Sequence, residues 1–422
     1  MVCPNLAEHE TTFKTERSLH ELDELLRTLG IERGSKYIQN RKNVDAGSIL
    51  GKGKLEEIAA SAKKEGVSLL VFDIELTASQ IRNIKKITGL SVVDRVHIIL
   101  EIFAHHAQTN ESKVQIEIAR LQYVLPRLAG FWTHLGRQRG GIGVKGGEGE
   151  QQIELDRRII RSRIEFLRKE LKTVEKSRVE QRKKRQNKAV TAALVGYTNA
   201  GKSSLMNRLC RVDILEENKL FATLDSTFRT LNPDTHPPMI LIDTVGFISN
   251  LPSTLIDGFK TTLESAMEAD LLILVCDISD LNFENHLKVT YDVLRELKIE
   301  EKEILIVFNK LDLLDDPLRA KIIKRTHPNS FLVSSFNPHD IDFLRKHIIN
   351  YFLEKQDIYD LYVPYEHGHI HSSIISKTNV MTTNNHEAGI YYKIRVPDFI
   401  FSTLGIKEFV LAPDDPRLDK LK

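Results

Sequence analysis

Cysteine is scarce in this sequence. Cys3, Cys210 and Cys276 make up the whole complement, and no two stand at a spacing that clamps zinc or frames a disulfide-stapled module. Small secreted disulfide scaffolds and zinc ribbons are excluded on that count. Long apolar runs are lacking too: Leu271–Val275 and Ile304–Phe308 fall far short of the roughly 20 residues that cross a bilayer. The charged N-terminal segment has no signal-peptide core. The expected location is therefore the cytoplasm, with no membrane partner. Nor does one sign of charge dominate, because 60 Lys plus Arg against 58 Asp plus Glu leave +2. Any attraction to a polyanion must come from local clustering. What remains is the composition of a folded protein, and 422 residues suggest more than one domain.

Four regions follow from the hydropathy pattern. Residues 1–109 open on a polar stretch, then show a helical pattern at Leu19, Leu22, Leu25, Leu26 and Leu29. A βαβ-like module succeeds it, with the turn Gly51-Lys52-Gly53-Lys54 before a helix, an apolar strand at Leu69–Phe72, another helix, and a strand at Leu90–Val93. Residues 110–188 read as two long helices. Val114, Ile118, Leu121, Leu125 and Leu128 alternate spacings of four and three, as do Ile160, Ile164, Leu167, Leu171 and Val174, while Pro126 marks a kink or an end. The glycine-rich stretch Gly136–Gly149 between them predicts an antiparallel hairpin with a mobile tip. Residues 189–355 alternate short apolar strands (Val190–Val195, Met239–Ile242, Leu271–Cys276, Ile304–Phe308, Phe331–Val333) with helices, which predicts a doubly wound, mostly parallel sheet. Residues 356–422 offer strands at Leu361–Val363 and Gly389–Val396 and read as a small α/β appendage.

The strongest local charge lies in Arg157–Lys188, with fourteen Lys or Arg against four Glu. A solvated helix face accounts for it, and so does contact with a phosphate backbone. The hairpin tip adds Arg137, Arg139 and Lys145 beside Trp132 and His134. Cations next to stacking rings suit unpaired RNA, so these five are candidate RNA contacts.

The most specific motif is Gly196-Tyr197-Thr198-Asn199-Ala200-Gly201-Lys202-Ser203, which fits G-x-x-x-x-G-K-[ST] between an apolar strand and a helix pattern. Its glycines let the backbone curl around a phosphate chain, Lys202 reaches the terminal phosphates, and Ser203 ligates magnesium. Asp243-Thr244-Val245-Gly246 ends another strand; Asp243 suits a water-mediated magnesium partner, and the Gly246 N–H senses a γ-phosphate. Asn309-Lys310-Leu311-Asp312 places a carboxylate where guanine offers two donors and adenine does not, a discrimination of about 10⁴-fold or more. Ser334-Ser335-Phe336 stands where a backbone N–H can meet the guanine carbonyl. Between the P-loop helix and Asp243, Phe221-Ala222-Thr223-Leu224-Asp225-Ser226-Thr227 reads as the mobile switch loop. Thr223 is its preferred magnesium ligand and Thr227 the second choice. The expected fold class is α/β: a P-loop GTPase domain, an N-terminal α/β domain carrying a long helical hairpin, and a small C-terminal α/β domain.

The segments FDIELTASQIRNI, DRVHIILEIFAHHAQTNESKVQIEIARLQYVLPRL, WTHLGRQRGGIG and FATLDSTFR, together with the nucleotide motifs, resemble the HflX family of translation-factor-like GTPases over nearly the whole chain. The resemblance implies GTP and GDP as ligands with magnesium, catalytic work at Lys202, Thr223 and Gly246, and a factor that binds the large ribosomal subunit and its rRNA. It further implies that the GTP-bound form splits or rescues stalled ribosomes, that hydrolysis releases it, and that the hairpin tip approaches the peptidyl-transferase centre. The alternative is a GTP-switched RNA-binding, assembly or remodelling factor that does not split ribosomes. The family also suggests a second nucleotide, ATP, near Gly51–Lys54, although two glycines before a helix more commonly make a tight connection. At Gly147-Glu148-Gly149-Glu150-Gln151-Gln152 this chain departs from the family's glycine-proline-glycine-glutamate-threonine-glutamine turn. Losing that proline raises the ordering cost of the tip.

Asn199 resembles the potassium-coordinating asparagine of cation-activated GTPases, and a loop asparagine bonded to its own backbone is the other reading. Phe247 stands where other GTPases carry a water-orienting glutamine, so slow, partner-dependent turnover is expected. His367, His369 and His371 alternate, but without carboxylates they make a poor zinc signature. A monomer in solution, partly associated with ribosomes, completes the expectation.

Overall fold

A computed structural model describes residues 1–6, 12–32, 34–41, 45–128, 147–186, 189–212, 220–221, 223–233, 235–249, 263, 265–299, 301–314 and 316–421. They fall into two units. One holds the described residues of Met1–Val174 and Glu217–Asp225, and the other those of Glu175–Glu216, Ser226–Ser249 and Thr261–Lys422.

The first unit is built on a parallel sheet of order β2-β1-β3-β4, from β1 (Val2–Leu6), β2 (Tyr37–Arg41), β3 (Leu69–Phe72) and β4 (Ser91–Asp94). The polar opening of the chain therefore contains a strand, and Pro4 pairs with Gln39 inside its ladder. Helix α1 (Thr12–Thr28) buries Leu19, Leu22, Leu25 and Leu26 of the predicted stripe and ends one residue before Leu29, which is half-buried. Helix α2 (Lys52–Glu65) buries Leu55, Ile58 and Ala62 and stops at Gly66, whose φ of 68° suits a residue without Cβ. Helix α3 (Ala78–Thr88) starts on a reciprocal capping box between Thr77 and Gln80 and ends at Gly89.

Helix α4 (Arg95–His106) begins at Asp94, whose carboxylate accepts from the His97 N–H at 2.9 Å, the Leu76 N–H at 3.0 Å and the Tyr123 hydroxyl at 2.9 Å. The adjacent Arg95 guanidinium is 2% exposed and pairs with Asp73 at 2.8 Å and with Glu21. Burial pushes the Asp73 carboxyl up, against the pull of Arg95. Removing one member of such a pair strands the other, at about 3–5 kcal/mol. This network joins β3, β4, α1, α4 and the helix α5 (Asn110–Val124), which carries Tyr123.

A 3₁₀ turn at Leu125–Arg127 ends α5 at Pro126. Helix α6 (Gly147–Gln186) supplies the other arm of the hairpin, and Val114 and Ile118 of α5 pack with Ile164 and Leu167 of α6, flanked by Leu121, Ile160 and Leu171. Of the two predicted stripes, Leu125, which lies in the 3₁₀ turn, Leu128 and Val174 fall outside this cluster. Trp132, His134, Arg137, Arg139 and Lys145 lie outside the described residues.

The second unit carries a six-stranded sheet of order β10-β9-β8-β5-β7-β6, formed by β5 (Val190–Gly196), β6 (Thr227–Asn232), β7 (Met239–Asp243), β8 (Leu271–Asp277), β9 (Ile304–Asn309) and β10 (Phe331–Leu332). All pairings are parallel except β6 with β7. β5 lies between β8 and β7, so strand order reverses at its carboxyl end, the crevice where doubly wound sheets hold ligands. The core beneath it gathers Leu194, Leu205, Met206, Leu241, Ile273, Val307, Leu344 and Ile348. Full burial of each such side chain contributes about 1.5–3 kcal/mol. An antiparallel sheet β11-β13-β12 follows, from β11 (Asp357–Pro364), β12 (Asn379–His386) and β13 (Gly389–Val396).

Candidate functional site

The end of β5 fixes the first turn of the Gly196–Ser203 segment. Gly196 has φ 147°, and a Cβ there would lie 2.1 Å from the Val275 carbonyl oxygen on β8. Only glycine lets the two strands approach so closely. Asn199 then takes a left-handed φ of 58°, and Gly201 one of 87°. A Cβ on Gly201 would lie 2.3 Å from Asn309 Nδ2. That amide, at the end of β9 and fully buried, donates to the Ala200 carbonyl at 3.1 Å, while its Oδ1 accepts from the Ser335 N–H at 3.1 Å. One side chain thus joins three of the predicted segments.

Helix α7 (Lys202–Leu209) starts immediately after this turn. The Lys202 ammonium is buried and donates to the carbonyls of Gly196 at 3.1 Å and Tyr197 at 2.8 Å. Burial pulls its pKa down to about 8, with Asp243 opposing. Ser203 Oγ donates to Asp243 Oδ2 at 2.6 Å, and Asp243 is itself buried. Thr244 anchors the chain beyond it by donating to the Leu194 carbonyl at 2.6 Å. At Gly246 an added Cβ would meet Thr198 Cα at 2.8 Å and Lys202 Nζ at 2.9 Å. Val245 and Phe247 are buried on either side.

On the other flank, Lys310 has φ 64°, and its ammonium pairs with Asp277 at 2.7 Å. Leu311 N–H donates to the Val333 carbonyl at 3.1 Å. Asp312 accepts from Ser334 Oγ at 2.5 Å, and the Ser334 N–H donates to Asp340 at 2.9 Å. Phe336 is exposed, its N–H bonded to Ser334 Oγ at 3.2 Å. The segments 309–312 and 334–336 therefore form one surface next to the 196–203 turn.

The loop 221–225 is assembled differently. Phe221 is buried in the first unit, where its ring meets Phe103 edge-on at 4.6 Å. The Asp225 carboxylate grips the segment that leads into α5, accepting from the N–H groups of Gln108 at 2.9 Å and Thr109 at 3.1 Å, from Thr109 Oγ1 at 2.7 Å and from Ser112 Oγ, while Thr109 itself caps the helix by accepting from the Ser112 N–H at 3.2 Å. Burial alone would raise its pKa, but these bonds hold it below the usual carboxylate range. Thr223 and Leu224 belong to the same unit, and Ala222 lies outside the described residues. Thr227 starts β6 directly opposite Asp243.

Two polar neighbours of the turn carry no motif. Tyr197 stacks on His286 and bonds to Ser249. Ser249 follows Gly246 closely enough to be suspected, whereas His286, on α8 (Phe283–Glu296), is brought in by topology alone. The alternating histidines do not converge: His371 spends its ring nitrogens on the Tyr392 hydroxyl at 2.9 Å and the Pro364 carbonyl at 3.0 Å. Among the described residues no group of three or more His, Cys, Asp or Glu gathers as a metal cluster, and no helix is long and apolar enough to cross a membrane.

Three family models match the chain: the GTP-binding GTPase N-terminal region over 16–104, the GTP-binding GTPase middle region over 106–185, and the 50S ribosome-binding GTPase over 191–310. A protein named GTPase HflX from Flavobacterium psychrophilum is 45% identical over 307 residues, which is 73% of this chain and 74% of that one. Another GTPase HflX, from Alkalihalophilus pseudofirmus, is 39% identical over 387 residues, 90% of this chain and 89% of that one. A solved GTP-binding protein from the archaeon Sulfolobus solfataricus, in complex with GDP, is 24% identical, with a TM-score of 0.44 over 83% of this chain and 97% of that chain.

Proposed function

The chain belongs to the HflX family of GTPases, and from that membership we propose that it binds the large ribosomal subunit, separates stalled ribosomes while GTP is bound, and leaves after hydrolysis. That it binds guanine nucleotides and hydrolyses GTP to GDP and phosphate follows from the family. Within this reading Lys202 meets the terminal phosphates, and the N–H groups at the start of α7 stabilise their charge. Asp312 accepts from guanine N1–H and the exocyclic amine, and Ser334 to Phe336 border the base. Ser203 Oγ and Asp243 Oδ2, hard oxygens 2.6 Å apart, fit a magnesium site held by Ser203 directly and by Asp243 through water. When bound, the ion would neutralise charge on the phosphate chain. Gly246 offers its N–H to the γ-phosphate.

The observation that carries partner dependence is Phe247. Its ring is buried, its N–H donates to the Gly196 carbonyl at 3.0 Å, and its carbonyl accepts from the Thr198 N–H at 2.7 Å. A phenyl ring held in that way cannot orient an attacking water. Turnover is therefore slow until ribosome docking orders the loops and supplies the missing positioning. GTP turnover by the purified chain, measured with and without ribosomes, tests this: stimulation of at least about tenfold is expected, and equal rates overturn it. Asn199, exposed with φ 58°, is the proposed potassium contact. Equal turnover in potassium and sodium at matched ionic strength would remove that role. In this scheme the factor works as a cytoplasmic monomer, partly ribosome-bound.

A further inference from the structure

The segment after Gly246 is fastened to the P-loop beyond what phosphate binding requires. Tyr197 and Phe247 pair as a parallel β-bridge through the two backbone bonds of Phe247. Further along, the Ser249 N–H donates to the Tyr197 phenol oxygen at 2.7 Å, and Ser249 Oγ shares a hydrogen with that same oxygen at 2.7 Å. The Tyr197 ring is in turn stacked on the His286 imidazole, with centroids 3.9 Å apart and planes 9° from parallel. Tyr197 is 6% exposed. A P-loop side chain is thus pinned between α8 and the segment that must sense the γ-phosphate.

Space at Gly246 gives this fastening a consequence. A single carbon added there would fall 2.8 Å from Thr198 Cα on the P-loop backbone and 2.9 Å from Lys202 Nζ, and a phosphoryl group is larger than a carbon atom. Seating a γ-phosphate against Lys202 therefore requires Gly246 to retreat, carrying Phe247 and Ser249 with it. GDP makes no such demand. We infer that Tyr197, Ser249 and His286 form a latch that sets the preference between GDP and GTP: it holds the Gly246 segment down on the P-loop, so that it opposes GTP alone. Tyr197 and Ser249 make the latch, and His286 acts as a positioning residue through the tyrosine ring. The inference rests on guanine-nucleotide binding and is independent of what the GTPase does at the ribosome.

Equilibrium affinities of the full chain for GDP and for a non-hydrolysable GTP analogue test it, with Tyr197→Phe, Ser249→Ala and His286→Ala. Tyr197→Phe keeps the ring and deletes both phenol bonds. It should tighten the analogue relative to GDP by about tenfold, the effect of roughly one net hydrogen bond. Ser249→Ala and His286→Ala should move the ratio the same way by about threefold. Adding Ser249→Ala to Tyr197→Phe should move the ratio by less than the sum of the two separate effects, because the two share a contact. An unchanged ratio, or equal shifts for both nucleotides, overturns the latch. If Tyr197→Phe fails to fold, Ser249→Ala decides between these outcomes, because it leaves the P-loop untouched. Failure of the unsubstituted chain to bind either nucleotide would instead sink the guanine-nucleotide assignment.

Discussion

Two turns in this molecule pair glycines with lysines at the start of a helix, and they differ in everything that matters for holding phosphate. At Gly51–Lys54 nothing lies within 4 Å of where a Cβ on Gly53 would stand, so glycine there is optional. Its lysines pair with carboxylates of the same helix, Lys52 with Glu56 at 3.7 Å and Lys54 with Glu57 at 2.7 Å. At Gly196–Ser203 two glycines sit where a Cβ would collide at 2.1 and 2.3 Å, and the lysine is buried against carbonyls of its own loop. Similar letters thus produce a plain helix start in one unit and a strained cradle with a desolvated cation in the other. Paired, solvated lysines have little left for a ligand, whereas a buried ammonium gains from an arriving anion.

Breaking the second turn should therefore have effects that the first cannot match. Lys202→Ala should lower GTP turnover by about 100-fold or more. Because burial lowers the Lys202 pKa from 10.5 to about 8, the unfolded chain holds this proton more tightly than the folded one between those values. Its contribution to nucleotide-free stability should accordingly rise as pH goes from 8 to 10.5, where a denaturation series on Lys202→Met lacks that rise. Next in size is the glycine contrast. Gly196→Ala should cost about 2–4 kcal/mol, from a collision and an unfavourable φ, while Gly53→Ala should stabilise α2 by up to about 1 kcal/mol. Urea denaturation of both variants measures the gap directly.

Smaller effects sharpen the same contrast within the first unit. Asp225→Ala removes the acceptor that holds Gln108, Thr109 and Ser112 at the start of α5 and should cost about 1–2 kcal/mol. That contribution is present above the ordinary carboxylate pKa of 3.8 and is lost as pH falls through the lower folded value. Lys54→Ala should change stability by less than about 0.5 kcal/mol and leave nucleotide affinity alone, since its partner Glu57 is exposed.

Much of this was legible from residue order. Strands that are buried on both faces, such as Leu271–Asp277, announce themselves as continuous apolar runs. Edge strands do not: β2, β6 and β12 each lie at the border of a sheet and read YIQNR, TFRTLN and NVMTTNNH, polar enough to pass for loops. β1 is interior but carries Pro4 and Asn5, residues that argue against a strand. At the candidate site, spacing pointed to Lys202, Ser203, Asp243 and Asp312 as the types that phosphate and guanine chemistry ask for, and the fold brings Ser203 to 2.6 Å from Asp243. The hub role of Asn309 and the stacking of His286 on Tyr197 depend on which strand ends and helices topology brings together, and no local pattern encodes that. Asp225 illustrates the converse, since its place in a switch-like loop gave no hint that its carboxylate would hold Gln108 and Thr109 at the entry to α5.

Ribosome separation by the GTP-bound chain is tested most directly by mixing purified protein with intact ribosomes and either GTP or its non-hydrolysable analogue, following subunit separation by light scattering alongside GTP turnover. Separation with both nucleotides is expected, with turnover that rises when ribosomes are present. Binding without separation, with turnover indifferent to ribosomes, would contradict it and leave a guanine-nucleotide switch that acts on RNA by other means.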